Sequence, residues 1–281
     1  MKLELKKFNP NLISNTSTIL ALGKRSTGKS VLIKDLLSYN KNIPVGVVIS
    51  PTEQSNQHFE KFIPKMLIYD EYSPEITKKF LERQIKINEQ NNLQKKKTGT
   101  SDIDPKAFFI LDDCLYDKSW INDKSIRSFF LNGRHYNIFF LITLQYALGI
   151  PPIFRSNIDY VFIFRNNIVR EQEKIYNYYA GMFPTFEMFQ TVLMQCTENY
   201  ECLVIDNKIQ SNKLVDQIYW YKANVRDFKM CNQELWDLCL LEEQKKEMNI
   251  FNEESDDVPY DPELFVKNRN KIKVNVHKKS S

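Results

Sequence analysis

The 281-residue chain contains 39 basic and 35 acidic residues, a formal net charge of +4, and 42% hydrophobic residues. This length and composition can bury one sizeable α/β core, or such a core with a small appendage, so one main domain is expected. Because the charges nearly balance, composition alone does not indicate a nucleic-acid-binding protein, since contacts to phosphates depend on local clustering of positive charge rather than on the total.

Hydropathy indicates neither membrane insertion nor secretion. No apolar run approaches the ~18 residues of a membrane span, and the first residues, MKLELKKFNPNL, lack the apolar stretch of a signal peptide. The five cysteines form no C-x-x-C pair and only three histidines accompany them, which disfavours a zinc site or a disulfide framework. We therefore expect buried thiols in a reducing compartment.

The first chemical signal in chain order is GKRSTGKS at residues 23–30, which fits the phosphate-loop pattern G-x-x-x-x-G-K-[ST]. Glycines let successive backbone N–H groups point at phosphates, and the following helix adds its positive N-terminal end. Lys29 would reach the β- and γ-phosphates, while the Ser30 hydroxyl would bind Mg²⁺. The alternative is a glycine-containing turn with a surface lysine. The predicted ATP-binding residues are Gly23, Lys24, Arg25, Ser26, Thr27, Gly28, Lys29, Ser30 and Val31.

Helical and strand-like segments alternate beyond this loop. In order they are a helix at 29–39, strand-like runs at 44–50 and 65–70, and a helix that opens at Ser73 and Pro74. The segment 91–104 has no apolar periodicity and is predicted to be an exposed loop. Its lysines at 95–97 form either a solvated charge run or a DNA contact.

The second half continues the alternation and then loses it. Strands are predicted at 107–113, 137–145, 158–165, 200–206 and 216–223, and helices at 123–132, 171–183 and 185–196. Buried strands alternating with helices predict an α/β fold with a mostly parallel central sheet flanked by helices. The expected organisation is a core at 1–225, a C-terminal helical extension at 226–250 and a polar, flexible tail at 251–281.

Acidic residues close one predicted strand, where apolar AFFIL runs into Asp112 and Asp113. In doubly wound sheets that end of a strand borders the ligand crevice. Asp112 is the candidate for orienting Mg²⁺, and Asp113 for polarising an attacking water. Gln145 ends the next strand, where its amide could sense a γ-phosphate. An acidic turn and a solvated glutamine are the alternative interpretations.

Three segments together resemble a known family. ILALGKRSTGKS, AFFILDDC and GRHYNIFFLITLQ, spanning roughly residues 15 to 170 in this order, look like the FtsK/HerA DNA translocases, and most like the poxvirus-type genome-packaging ATPases of large nucleocytoplasmic DNA viruses. The resemblance implies a RecA-like P-loop NTPase core of the ASCE type, working with ATP and Mg²⁺ as a pentameric or hexameric ring. It also implies double-stranded DNA as a partner, capsid or portal-vertex proteins and a nuclease as further partners, and a place in the host cytoplasm or the virion.

The resemblance also suggests roles for individual residues. Lys29 and Ser30 match the phosphate-loop pair, Asp112 the metal aspartate and Gln145 the sensor. Asp113 departs from the family's usual glutamate, which leaves its catalytic role open. The arginine that such rings donate to a neighbouring subunit would be Arg134, at the Gly-Arg position, or Arg155 as second choice; a salt bridge or a solvated position is the alternative for both.

Two other functions fit the phosphate loop. A phosphotransferase acting on a nucleoside or small metabolite would need an arginine-rich lid, which the sequence does not show. A nucleotide-gated scaffold for virus assembly would bind ATP with negligible turnover, and the departure at Asp113 favours it.

Overall fold

The computed structural model describes residues 3–114, 119–147 and 150–253. Within them, a nine-stranded sheet forms the centre, in the order β1-β9-β8-β7-β2-β6-β5-β3-β4. The strands are β1 Lys6–Lys7, β2 Thr18–Leu22, β3 Gly46–Ile49, β4 Ile68–Tyr69, β5 Ala107–Asp112, β6 Ile138–Leu144, β7 Tyr160–Phe164, β8 Glu201–Asp206 and β9 Ile218–Lys222.

The middle of the sheet is parallel, and one side of it is mixed. β7, β2, β6, β5, β3 and β4 run parallel to one another, whereas β8 runs antiparallel to both β7 and β9. Every residue of β2, β5 and β6 is buried, as expected for strands covered on both faces. The predicted α/β class with a mostly parallel sheet is confirmed.

Helices cover both faces of the sheet. They are α1 Lys29–Ser38, α2 Glu53–Asn56, α3 Pro74–Thr98, α4 Lys124–Asn132, α5 Pro152–Arg155, α6 Val169–Tyr179, α7 Phe186–Cys196, α8 Leu214–Gln217 and α9 Gln233–Glu253. Phe80, Phe109 and Phe129 pack in the core on one face, and Leu32 and Leu36 of α1 pack in the core on the other. Alternate residues of each strand supply these two cores, because side chains point to opposite faces.

The predicted loop at 91–104 is wrong over its first part, since α3 continues to Thr98. Asn91 is buried, while the lysines at 95–97 are exposed and lie in the last helical turn. The negative end of the helix dipole lies there, so these positive charges stabilise the helix. Gly99 adopts φ +79° and donates its N–H to the carbonyl of Lys95, which ends the helix. Apolar periodicity was lost because this part of the helix is largely solvent-exposed, not because it is irregular.

The chain divides into two compact units, residues 1–239 and 240–281. The sheet and α1 to α8 belong to the first unit, and α9 continues into the second. The predicted boundaries at 225 and 250 stay predictions, and most of the predicted tail, 254–281, lies outside the described residues. None of the described helices combines the length and the apolar composition that a membrane span requires.

Gly46→Ala tests the packing of β3 on β5. A Cβ at Gly46 would lie 2.2 Å from the Phe108 ring, and overpacking of this kind costs about 1–3 kcal/mol. We expect Gly46→Ala to lower the melting temperature by roughly 2–4 °C for each kcal/mol. Gly181→Ala is the control, because a Cβ there meets nothing within 4 Å; equal effects of both substitutions would contradict this packing.

Candidate functional site

The phosphate loop, residues 23–28, joins β2 to α1 through backbone conformations that favour glycine. Gly28 has φ +103° at the start of α1, and Ser26 also has a positive φ, 60°. At Gly23, a Cβ would lie 2.6 Å from Thr27 Oγ1 and 2.7 Å from Phe164 Cβ. The two glycines therefore allow a tight turn in which the loop backbone can approach a ligand closely.

Lys29 lies at the start of α1 and turns back into the loop. Its Nζ donates hydrogen bonds to the carbonyls of Gly23, at 2.6 Å, and Lys24, at 2.9 Å. Burial lowers the pKa of Lys29, while the charges of Asp113 and Asp112 oppose that shift. The ammonium group thus sits close to the loop and within the electrostatic range of both aspartates.

Asp112 ends β5 as a buried carboxylate with two hydroxyl partners. Thr143 Oγ1 donates to Asp112 Oδ1 at 2.7 Å, and Ser50 Oγ donates to Asp112 Oδ2 at 3.2 Å. Burial raises the pKa of Asp112, whereas these two hydrogen bonds act in the opposite direction. The three residues come from the ends of β6, β3 and β5, which lie side by side in the sheet.

Asp113 and Gln145 are brought together at the same edge. The backbone N–H of Asp113 donates to Thr143 Oγ1 at 3.0 Å, and Gln145 Nε2 donates to Asp113 Oδ2. Asp113 adopts φ +56°, a left-handed conformation that turns the chain directly after β5. The Thr143 hydroxyl therefore links Asp112 to Asp113, and Gln145 orients the Asp113 carboxylate.

The residues predicted to hold a magnesium ion suit that ion chemically. The side chains of Ser30 and Asp112 offer oxygen ligands, which Mg²⁺ prefers together with water and phosphate oxygens. Asp112 is buried in surroundings that disfavour its negative charge, so a nearby cation would stabilise the ionised carboxylate.

A cavity of about 480 Å³ opens beside the phosphate loop. Its far wall consists of Tyr200, which precedes β8, and of residues that end and follow β9. Tyr200 is 69% exposed and Val225 90% exposed, so both present apolar surface to solvent at the cavity mouth. The lining residues are Ser26, Gly28, Lys29, Ser30, Val31, Tyr200, Lys222, Ala223 and Val225.

The two arginine candidates lie away from this cavity. Arg134 precedes β6, a seven-residue strand that spans about 20 Å, and therefore lies at the sheet edge opposite the phosphate loop. Its guanidinium pairs with Asp159, whose carboxylate also accepts the N–H of Thr18. Arg155, in α5, stacks over the ring of Tyr178 at 4.2 Å. Neither arginine joins the network around Asp112 within one subunit.

Several site residues were not predicted from the sequence. Thr143 and Ser50 are hydroxyl residues at the ends of apolar runs. Their place at the ends of predicted strands could have marked them as candidate site residues. Tyr200 and the segment 222–225 follow the phosphate loop by more than half the chain, and no local pattern connects them with it.

The chain is similar to proteins of large DNA viruses. It is 38% identical over 238 residues to uncharacterized protein L437 of Acanthamoeba polyphaga mimivirus, covering 84% of this chain and 83% of that protein. It is 40% identical over 239 residues to uncharacterized protein 075L of Invertebrate iridescent virus 6, covering 80% and 89%. No family model matches the chain.

Solved structures share the fold. The genome packaging NTPase B204 from Sulfolobus turreted icosahedral virus 2, in complex with AMP, gives a TM-score of 0.51 at 18% identity and covers 75% of this chain and 100% of its own. EssC (ATPases 2 and 3) from Geobacillus thermodenitrificans gives 0.50 at 15% identity, covering 92% and 49%. At these identities the likeness concerns the fold alone, and it confirms the predicted P-loop NTPase fold.

Thr143→Val tests the hydroxyl that links the two aspartates. The substitution leaves Asp112 Oδ1 and the Asp113 N–H without this partner, and a buried polar group without a partner costs about 1–3 kcal/mol. We expect the free energy of unfolding in urea to fall by that amount. Thr191→Val is the control, because Thr191 bonds only its own helix at an exposed position; equal losses would contradict the role of Thr143.

Proposed function

The chain belongs to the family of large DNA virus proteins that includes those of mimivirus and Invertebrate iridescent virus 6, and we propose that it is an ATP-hydrolysing motor that drives double-stranded viral DNA into the capsid. The poxvirus-type relationship is part of this proposal. So are ATP and Mg²⁺ as ligands, a ring of subunits as the working form, and capsid or portal-vertex proteins and a nuclease as further partners.

One observation carries the proposal: a phosphate loop, an acidic pair and a strand-end glutamine converge at one edge of the sheet. Leu22 and Leu144 are paired in register, and Asp112 is paired with Thr143. The residues that follow these positions therefore leave the sheet side by side. A phosphate loop alone supports binding; the adjoining carboxylates and amide add groups that hydrolysis requires.

Each group has a chemical task in hydrolysis. The loop N–H groups and Lys29 would hold the β- and γ-phosphates, with phosphate oxygens replacing the loop carbonyls as acceptors for Nζ. Mg²⁺, held by Ser30 and Asp112, would neutralise phosphate charge. Asp113 would accept a proton from the attacking water, and Gln145 would orient that water and sense the γ-phosphate.

The large cavity would receive the nucleoside. The phosphate-loop residues form one side of it, and Tyr200 offers an aromatic face on the other. Stacking of a base on an aromatic side chain contributes about 1–3 kcal/mol and is tolerant of which base is present.

A nucleotide-gated assembly scaffold is the second candidate function. Gln145 engages the Asp113 carboxylate, and the loop carbonyls engage the Lys29 ammonium. A protein that keeps these contacts with ATP bound would turn ATP over negligibly. Tight ATP binding without phosphate release, even with DNA, would support the scaffold over the motor.

Steady-state phosphate release, with and without long double-stranded DNA, tests the motor. We expect DNA to stimulate release, Lys29→Ala to abolish it, and Asp113→Asn to lower kcat by about 10²-fold or more because the water loses its proton acceptor. Lys79→Ala and Asp104→Asn replace an exposed lysine and an exposed aspartate far from the loop in sequence and should leave release unchanged. Slow ATP hydrolysis, with DNA changing neither its rate nor the assembly of subunits, would refute translocation.

Mixing of variant subunits tests the proposed arginine in trans. Arg134→Ala alone should lower phosphate release by ~10³-fold or more, the effect of losing such an arginine. Adding Lys29→Ala subunits should restore part of the rate, because some interfaces then combine an intact phosphate loop with an intact arginine. Arg155→Ala is tested in the same way, and Arg127→Ala, on the exposed side of α4, is the control. An inactive mixture for both candidates would exclude them as trans-acting groups.

A further inference from the structure

A buried aspartate on α1 binds the segment that forms one wall of the large cavity. Asp35 is fully buried. Its Oδ1 accepts a hydrogen bond from Arg226 Nε at 2.8 Å, and its Oδ2 accepts from the Tyr221 hydroxyl and from the Asn224 N–H, the latter at 2.9 Å. Both carboxylate oxygens are therefore committed to one short stretch of chain, residues 221–226.

The same stretch faces the cavity with its other residues. Lys222, Ala223 and Val225 line the cavity, whereas Tyr221, Asn224 and Arg226 supply the donors to Asp35. Lys222 ends β9 and is paired with Glu201 of β8, whereas residues 223–231 form neither helix nor strand. The positions of Ala223 and Val225 therefore depend on such anchoring contacts rather than on a ladder of backbone hydrogen bonds.

Arg226 also contacts Tyr39, next to the helix that carries Asp35, and so holds residues 221–226 at a second point. Its Nη2 donates to the Tyr39 hydroxyl at 2.7 Å, and its guanidinium carbon lies 5.1 Å from the centre of the Tyr39 ring. Tyr39 directly follows α1. The bond to Asp35 raises the pKa of Arg226, and burial together with Asp35 raises the pKa of Tyr221, so both groups remain protonated donors.

The helix that carries Asp35 also begins at the phosphate loop. Lys29 is the first residue of α1, and Asp35 lies further along the same ten-residue helix. A rigid helix therefore connects the groups that would hold the phosphates with the group that holds the far wall of the cavity.

We propose that Asp35 is a positioning residue for the nucleoside half of the substrate. Through Tyr221, Asn224 and Arg226 it fixes the wall formed by Lys222, Ala223 and Val225 at a set distance from the phosphate loop. It thereby sets the affinity for the nucleoside while leaving the phosphate contacts unchanged. This inference rests on the proposed function, because it assumes that a nucleoside triphosphate occupies the cavity.

Two ligands distinguish the contribution of the wall to binding from that of the phosphate loop. They are Mg²⁺ with ATPγS, and Mg²⁺ with inorganic tripolyphosphate, which has no nucleoside. Isothermal titration on the full chain would compare the wild type with Tyr221→Phe, Arg226→Ala and Asp35→Asn. We expect the Kd for ATPγS to rise by about tenfold in each variant, equivalent to about 1.4 kcal/mol. The Kd for tripolyphosphate should not change, and phosphate release at saturating ATP should keep its kcat while KM rises.

A pair of control positions exists at the start of α4, where Asp123 is half-buried. Asp123 accepts hydrogen bonds from the Tyr72 hydroxyl, from Thr77 Oγ1 at 2.5 Å and from the Ser125 N–H at 2.6 Å, so that, like Asp35, it bonds a tyrosine hydroxyl and a backbone N–H. Tyr72→Phe and Asp123→Asn should reduce stability without changing the Kd of either ligand. Tyr221→Phe is the mildest variant and remains informative where Asp35→Asn fails to fold.

The outcomes distinguish a failure of the positioning role from a failure of the proposed function. Loss of affinity for ATPγS alone supports the positioning role. Equal loss of affinity for both ligands, or no loss for either, overturns the positioning role, while the proposal that the protein binds a nucleotide still stands. A wild-type protein that binds neither ligand overturns the proposed function itself, and the positioning role with it.

Discussion

Parallel pairing of β2 with β6, and of β6 with β5, is the constraint on which the rest of the site depends. The register Leu22 to Leu144 and Asp112 to Thr143 makes the three strands end at one edge. A slip of one residue would turn every side chain of a strand to the other face and would separate Asp112 from the Thr143 hydroxyl. The apolar side chains that bury both faces of these strands therefore also determine the geometry of the polar groups at their ends.

Three charged groups at or beside the candidate site are buried together with hydrogen bonds that compensate for the loss of water. Lys29, Asp112 and Asp35 are all largely removed from solvent, and each has two or more polar partners. An unpartnered buried charge would be far more costly than these pairings are favourable. The positions of these three charged side chains are therefore fixed by specific polar partners.

Helix α1 connects two parts of the candidate site that differ in chemistry. Its first turn carries Lys29 and Ser30 beside the phosphate loop, and its later turns carry Asp35, which holds the segment after β9. The side formed by the loop and the start of α1 carries Lys29 and Ser30, while the opposite wall is built mainly from apolar surface and Tyr200. A single rigid helix therefore relates the positions of both sides.

The sequence by itself determined the class of fold, the phosphate loop and the strand-end candidates Asp112, Asp113 and Gln145, because local patterns encode them: apolar runs alternating with helical segments, a glycine spacing, and polar residues where apolar runs end. The predicted loop was wrong over residues 91–98, because an exposed stretch of helix has no apolar stripe to detect. Only the tertiary structure decided that Thr143 joins Asp112 to Asp113, that Arg134 pairs with Asp159, and that residues 222–225 face the phosphate loop. Contacts between residues far apart in the chain depend on strand order and register, which no local pattern specifies.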